Sequence, residues 1–208
     1  GPGAFSYCSR LRELELPSGI EELVNSLFYE CPALEAVVIP EVVAQRFRTI
    51  DGAIYNAEDK ALVRVPPGYP HAAFAIAPDT ESIGDYAFYG CAGIQEIQIP
   101  ASVREIRVTS LAMTTELRRI TVDGGNRFFC DVDGVLYSKN GTRLVAWPGG
   151  RFGACVIPDL VLELGDYCFF SVIYPKKNLK ITWPAKHPVK KGFSIFNPKA
   201  ELETEEKE

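Results

Sequence analysis

The chain has 208 residues, 47% of them hydrophobic, and a formal net charge of −5. That hydrophobic fraction supports a continuous core and excludes disorder throughout. No apolar run reaches the roughly 18 residues a membrane-spanning helix needs, so no transmembrane segment is expected. The charge is uneven. From Ser171 to Ala200 there are seven Lys and no Asp or Glu, the tail 201–208 carries five Glu and one Lys, and all 12 Arg lie at or before Arg151. The chain reads as an acidic body, a basic end piece and an acidic tail. Gly1-Pro2-Gly3 has neither a charged n-region nor an apolar h-region, so no signal peptide is expected at this end.

Residues 4–26 form a first coil. Leu11-Arg12-Glu13-Leu14-Glu15-Leu16 predicts a short strand with period-2 alternation at its end. Pro17, which has no N–H to donate, closes it, and Ile20 and Leu23 continue the inward set. Residues 27–46 repeat the unit. Phe5, Cys8, Leu11, Leu14, Leu16 and Pro17 return as Phe28, Cys31, Leu34, Val37, Ile39 and Pro40, and again as Phe88, Cys91, Ile94, Ile97, Ile99 and Pro100. A period of about 20–29 residues with Leu-x-x-Leu-x-Leu spacing predicts a leucine-rich-repeat solenoid. Arg46 stands where Leu23 stood and breaks the pattern.

Two insertions are expected, at about 47–73 and about 128–152. In the first, Asp51 to Tyr55 and Leu62 to Pro66 read as strands joined by Asn56 to Ala61. In the second, Asp133 to Tyr137 matches Asp51 to Tyr55, and Leu144 and Pro148 match Leu62 and Pro66. Asn140-Gly141 at the second tip predicts a type I′ hairpin turn. Around the hairpins the coil frame resumes. Ile83-Gly84-Asp85-Tyr86-Ala87-Phe88 parallels Leu164-Gly165-Asp166-Tyr167-Cys168-Phe169, while coil 111–123 is degenerate, with Thr114 in the Cys slot. Asp85 as a cap and Gly90 as a stop predict a short helical turn between them. Residues 1–170 are thus read as solenoid. Asn178 to Pro184 keeps the strand and its Pro, with Trp183 inward, before Pro188, Gly192 and Pro198 disrupt regular structure. Residues 171–200 are read as an irregular Lys-rich cap, because terminal repeats must close an apolar end, and 201–208 as a solvated tail.

The units Ile83 to Cys91 and Ile97 to Val103, with the inserted Asp133 to Thr142, resemble the BspA-like leucine-rich repeats. The resemblance covers residues 4 to about 184 and fails at coil 111–123 and at 171–208. It implies a right-handed β/α superhelix, strand-rich with short helical turns, in an exported, surface-exposed bacterial protein. Some members of that family are adhesins that bind host proteins or other cells.

Candidate chemistry is sparse. Cys8, Cys31 and Cys91 share one inward slot, where Cys serves as a small buried hydrophobe; a Cys8–Cys31 bridge between adjacent coils is compatible with their spacing. There is no Cys-x-x-Cys, and His71 and His187 stand alone, so no metal site or cofactor is expected. Asp131-Val132-Asp133-Gly134 opens like a calcium loop but continues with Val135 and Leu136, so it reads as a hairpin turn. Asn140-Gly141-Thr142 has the form of a glycosylation sequon that the turn reading also covers. Without a nucleophile, base and orienter in a shared motif, no enzyme is expected.

Two surfaces are left to carry function. The first is an outward ladder on successive strands: Arg12, Glu13 and Glu15; Glu35, Ala36 and Val38; Gln95, Glu96 and Gln98; Arg118, Arg119 and Thr121. The second is the Lys-rich cap with Trp183, Phe193 and Phe196, which would meet an anionic surface or be solvated. That cap has no Arg, which argues against sequence-specific nucleic-acid recognition. The expectation is a non-catalytic, secreted or cell-surface module that binds a protein or other cell-surface macromolecule. The alternative is a structural spacer or self-associating element.

Overall fold

The computed structural model describes residues 4–17, 20, 23, 28–40, 46–172, 179–184, 188–194 and 203–206. Its first ladder pairs β1 (Glu13–Glu15) in parallel with β2 (Ala36–Val38), so that Glu13 faces Ala36 and Glu15 faces Val38. A second ladder joins β6 (Ala73–Ala75), β8 (Glu96–Ile99) and β10 (Arg119–Val122), also parallel. A third joins β14 (Gly153–Val156), β16 (Leu179–Trp183) and β18 (Glu203–Glu206). The last of these strands falls in the stretch expected to be a solvated tail. One-residue alternation decides what is buried: Ile97 and Ile99 point inward, as do the anchors Phe88, Cys91 and Ile94.

Between these ladders sit the two insertions. β3 (Phe47–Ile50), β4 (Ala53–Asn56) and β5 (Ala61–Arg64) form an antiparallel meander. β11 (Phe129–Val132), β12 (Val135–Ser138) and β13 (Arg143–Ala146) repeat it. Each then seeds a second parallel ladder. β7 (Ser82–Ile83) and β9 (Glu105–Ile106) extend β5, and β15 (Glu163–Leu164) and β17 (Lys190–Lys191) extend β13. The molecule is therefore a strand-rich leucine-rich-repeat solenoid with strands on two sides of its coils.

Two local expectations are corrected. The Asp85 to Gly90 segment is not helical, and no helix occurs among the described residues. Tyr86 sits at φ 56° and Tyr167 at φ 58°, in the left-handed region that a right-handed helix cannot accommodate. Phe88 N–H donates to Ser110 O of the next coil at 2.8 Å and Ala87 O accepts from Val65 N–H at 2.7 Å, while Tyr89 N–H bonds Tyr86 O at 3.0 Å. Inter-coil bonds and isolated turns thus stand in place of the i to i−4 bonds of a helix.

The type I′ turn also lies elsewhere than expected. Only Gly141 of the Asn140-Gly141 tip has positive φ. Gly141 N–H bonds Ser138 O at 2.8 Å and the Asn140 side chain accepts from Thr142 N–H at 3.2 Å, a four-residue connection. The two-residue turns with both residues at positive φ are Asp51-Gly52 (50° and 74°) and Asp133-Gly134 (51° and 77°). Each sequence copy therefore begins at a turn rather than a strand, and a strand precedes it.

The hairpins are locked to the coils at defined points. Gly52 O accepts from Val37 N–H at 3.2 Å, and Gly134 O from Ile120 N–H at 2.9 Å. Gly68 N–H donates to Leu34 O at 2.8 Å, and Gly150 N–H to Leu117 O at 2.6 Å. A Cβ on Gly68 would fall 2.7 Å from Ala33 C, and one on Gly150 would fall 2.5 Å from Glu116 C, both backbone atoms. Asn126, 1% exposed, fixes the approach to the second hairpin. Its Nδ2 donates to Pro100 O (2.9 Å) and Val103 O (2.8 Å), and its Oδ1 accepts from Phe128 N–H and Phe129 N–H, both at 2.8 Å.

Gly150→Ala should cost about 1–3 kcal/mol of unfolding free energy by overpacking backbone against backbone. Gly124→Ala should stay within about 0.5 kcal/mol, since a Cβ there meets nothing within 4 Å. Equal denaturation midpoints for the two variants would contradict the close approach.

Candidate functional site

The ten polar and charged residues proposed for the strand ladder fall on two ladders, not one. Arg12, Glu13, Glu15 and Glu35 belong to the β1–β2 ladder. Arg12 Nη1 lies 3.5 Å from Glu35 Oε1 with both side chains well exposed, a pair that contributes little. Gln95, Glu96, Gln98, Arg118, Arg119 and Thr121 belong to β8, β10 and their leading residues. There Ala73, Glu96 and Arg119 form one rung, and Ala75, Gln98 and Thr121 the next. Gln95 O accepts from both Arg118 N–H (2.8 Å) and Arg119 N–H (3.1 Å). The ladders are parted because the Asp51-Gly52 turn occupies the free edge of β2, and Asp133-Gly134 does the same at β10. A mixed-charge surface interrupted this way is a modest binding face.

The turn side of the coils is different. Tyr7 and Tyr29 meet edge to face at 5.7 Å, Tyr29 and Tyr89 stack at 5.6 Å with 23° between planes, and Tyr86 packs on Tyr89 at 5.7 Å. The hydroxyls of Tyr89 and Tyr29 are 3.4 Å apart. Beyond them Tyr167 and Phe170 meet at 5.2 Å. Of these rings, Tyr29, Tyr86, Tyr89, Tyr167 and Phe170 border a groove of about 650 Å³ that Thr109 and Arg64 also line. The row stays in water: Tyr7 is 72% exposed and Tyr86 41%.

Arg64 is the unusual member. It lies at the end of β5, only 3% exposed. Its guanidinium donates through Nη1 to Tyr86 O and through Nη2 to Tyr89 O at 2.9 Å, with its carbon 5.9 Å from the Tyr89 ring centre. Its Nε has no hydrogen-bond partner. Burial lowers its pKa, because an isolated cation is costly in a low-dielectric setting. Sequence reasoning missed this groove. Tyr29, Tyr89 and Phe170 each follow the anchor Phe of their coil, and Tyr86 and Tyr167 each precede it by two. That recurrence was the available signal, but only coil stacking brings the rings together.

Phe193 of the cap meets Tyr167 edge to face at 6.0 Å. Of the cap lysines, Lys176, Lys177, Lys186 and Lys199, together with Phe196, lie outside the described residues; Lys190 and Lys191 are exposed on β17. Lys191 Nζ lies 4.8 Å over the ring of Trp183, which is half-buried against the core. Asp131 is engaged as an acceptor for Val122 N–H at 2.8 Å, and Asp133 pairs with Arg151 at 2.6 Å. Among the described residues no cluster of His, Cys, Asp and Glu could hold a metal, and no helix is long and apolar enough to cross a membrane. The six cysteines are free thiols. Cys31 Sγ donates to Phe5 O at 2.7 Å, and Cys91 Sγ lies 3.5 Å from Val65 O and Pro66 O.

Stacked parallel ladders, inward Leu-type slots and a Phe/Cys turn define a leucine-rich-repeat solenoid. The profile of the BspA type leucine-rich repeat region matches six copies over residues 1–56 and 72–129. The chain belongs to that family, a family of leucine-rich repeats found in bacterial surface proteins. Three solved structures share the fold. The pneumococcal vaccine antigen PcpA aligns at TM-score 0.62 and 17% identity, over 99% of this chain and 48% of its own. A leucine-rich cell surface protein from Faecalibacterium prausnitzii aligns at 0.53 and 21%, over 96% and 42%. A leucine-rich repeat protein from Eubacterium ventriosum aligns at 0.56 and 21%, over 86% and 55%. The chain spans about half the length of these proteins. A search among curated proteins finds no match.

Burial pushes the Cys91 and Cys155 thiols up to about 12 from an ordinary 9.0. Well below pH 9 both the folded and the unfolded thiol stay protonated, and their contribution to stability is whole. Above it the unfolded chain loses protons that the folded chain keeps until about pH 12, so stability falls with rising pH. Cys91→Ser should make the alkaline decline of unfolding free energy shallower between pH 9 and about 12. An unchanged slope in denaturant titrations across that window would refute the assignment.

Proposed function

We propose that the chain is a non-catalytic, macromolecule-binding module of an exported or cell-surface bacterial protein, used in adhesion to a host or cell surface. The observation that supports this best is the exposed tyrosine row from Tyr7 through Tyr29 and Tyr89 to Tyr86. Contiguous exposed aromatic surface is costly in water and marks interaction sites. Tyr and Arg are the residue types that dominate binding hot spots, and here an Arg backs the Tyr row. Kinship with repeats of bacterial surface proteins is consistent with this reading. The strand ladder with Arg118 and Arg119 is the second candidate face.

Retention of purified chain on host-cell membranes should fall about tenfold in Tyr7→Ala/Tyr86→Ala, the size of loss that truncating hot-spot residues produces. Arg118→Glu/Arg119→Glu should change it little. The reverse pattern would move the site to the strand ladder. No retention by the parent chain, with paired or end-to-end particles in light scattering, would replace binding with a spacer role.

A further inference from the structure

The groove beside the tyrosine row holds a cation that has no counter-ion among the described residues. Of the described residues that line it, Arg64 is the one with a charged side chain. Among the described residues, the ion pairs involve other Arg and Lys side chains, and no carboxylate comes within reach of Arg64. Two carboxylates stand near. Asp85 accepts from the Thr109 hydroxyl at 2.7 Å, and Glu30 lines a smaller cavity on the other side of Arg64 and Tyr89. Two backbone carbonyls accept from the guanidinium, which orients it without neutralising it, and its Nε remains unsatisfied. A buried charge in this state is costly unless paired.

The fold does not require that charge. Arg64 stands opposite Ile54 across the first hairpin, and in the second hairpin the same register places Ala146 opposite Leu136. The following residues keep the same inter-coil bond, Val65 N–H to Ala87 O and Trp147 N–H to Cys168 O, each at 2.7 Å. The solenoid therefore builds this corner with a methyl in one unit and a guanidinium in the other. Only the unit with the guanidinium has the Tyr29–Tyr89 stack beside it.

We propose that the groove binds a carboxylated saccharide of a cell-surface glycan, the carboxylate facing Arg64 and the sugar rings lying on the tyrosines. This deepens the binding-module reading and rests on it. Aromatic faces carry the negative end of the ring quadrupole, which suits the weakly positive C–H faces of a pyranose. The hydroxyls of Tyr29 and Tyr89 at the rim supply donors and acceptors for sugar hydroxyls. A carboxylate supplies the charge-assisted partner that the protein withholds from Arg64. A proline-rich peptide could stack on the same rings but brings no anion for the guanidinium, so the charge favours the acidic sugar.

The test is calorimetric titration of the full chain with a short oligosaccharide alternating glucuronate and N-acetylglucosamine, a neutral N-acetylglucosamine oligomer of equal length, and a proline-rich peptide. The acidic sugar should bind about tenfold tighter than the neutral one, a difference of about 1.4 kcal/mol. Tyr86→Ala should weaken both sugars. Arg64→Met should remove the acidic preference, with folding checked by its denaturation midpoint. If that variant does not fold, added salt should weaken the acidic sugar and leave the neutral one unchanged. Equal affinities, no sugar binding, binding of the peptide alone, or indifference to Tyr86→Ala would each overturn the proposal. Loss of the sugar result while Tyr86-dependent retention on membranes persists would overturn the ligand class alone. Loss of both would overturn the binding module as well.

Discussion

The structure depends on backbone contact between coils at points where no side chain fits. Gly68 and Gly150 each bring the chain back from a hairpin onto the preceding coil, and each amide donates to a carbonyl there at 2.8 Å or less. A solenoid coil contacts only its neighbours, so an insertion of some thirty residues would ordinarily separate two coils and break the ladder. The glycines prevent this by letting backbone lie directly on backbone. The Asp-Gly turns complete the junction from the other end, seated on Val37 and Ile120. With both junctions closed, Tyr29 and Tyr89 become neighbours although a hairpin lies between them in the chain.

The same junction explains why strands form three main ladders rather than one. Each turn occupies the amide edge that the next coil would have used, and the ladder restarts at β6 and again at β14. It also shows where the two copies have diverged. Tyr69 and Arg151 occupy matching places and bond Asp51 and Asp133 respectively, one contact made by two chemistries. Arg64 and Ala146 occupy matching places and do different things: one is a cation held by two carbonyls, the other a small packing residue. Coil 111–123 absorbs its polar substitution locally, the Thr114 hydroxyl donating to Leu111 O at 2.7 Å.

Much of the fold was legible because burial repeats with the coil. Phe88, Cys91, Ile94, Ile97 and Ile99 can be assigned inward from their recurrence alone, and each is at most 2% exposed. The helical turn was not legible. Asp85 and Gly90 are good punctuation, but Tyr86 sits at φ 56° and the Phe88 amide bonds Ser110 O of the next coil, which local propensity does not foresee. The tyrosine groove was legible only in part. Its residues recur in register, yet a residue beside a core anchor can face either water or a neighbour, and which it does depends on how closely the next coil approaches.

The sequence by itself determined the solenoid, its period, the inward slots and the place of the insertions, because each follows from short-range patterning of apolar residues, Pro and Gly. Tertiary structure alone decided which strands share a ladder, where the positive-φ turns fall, and which side of the coils carries aromatic surface. It alone decided that Arg64 is buried with no carboxylate partner among the described residues. The reason is physical: desolvation and pairing of a charge are set by atoms some twenty residues away along the chain, and only the stacking of coils brings them within reach.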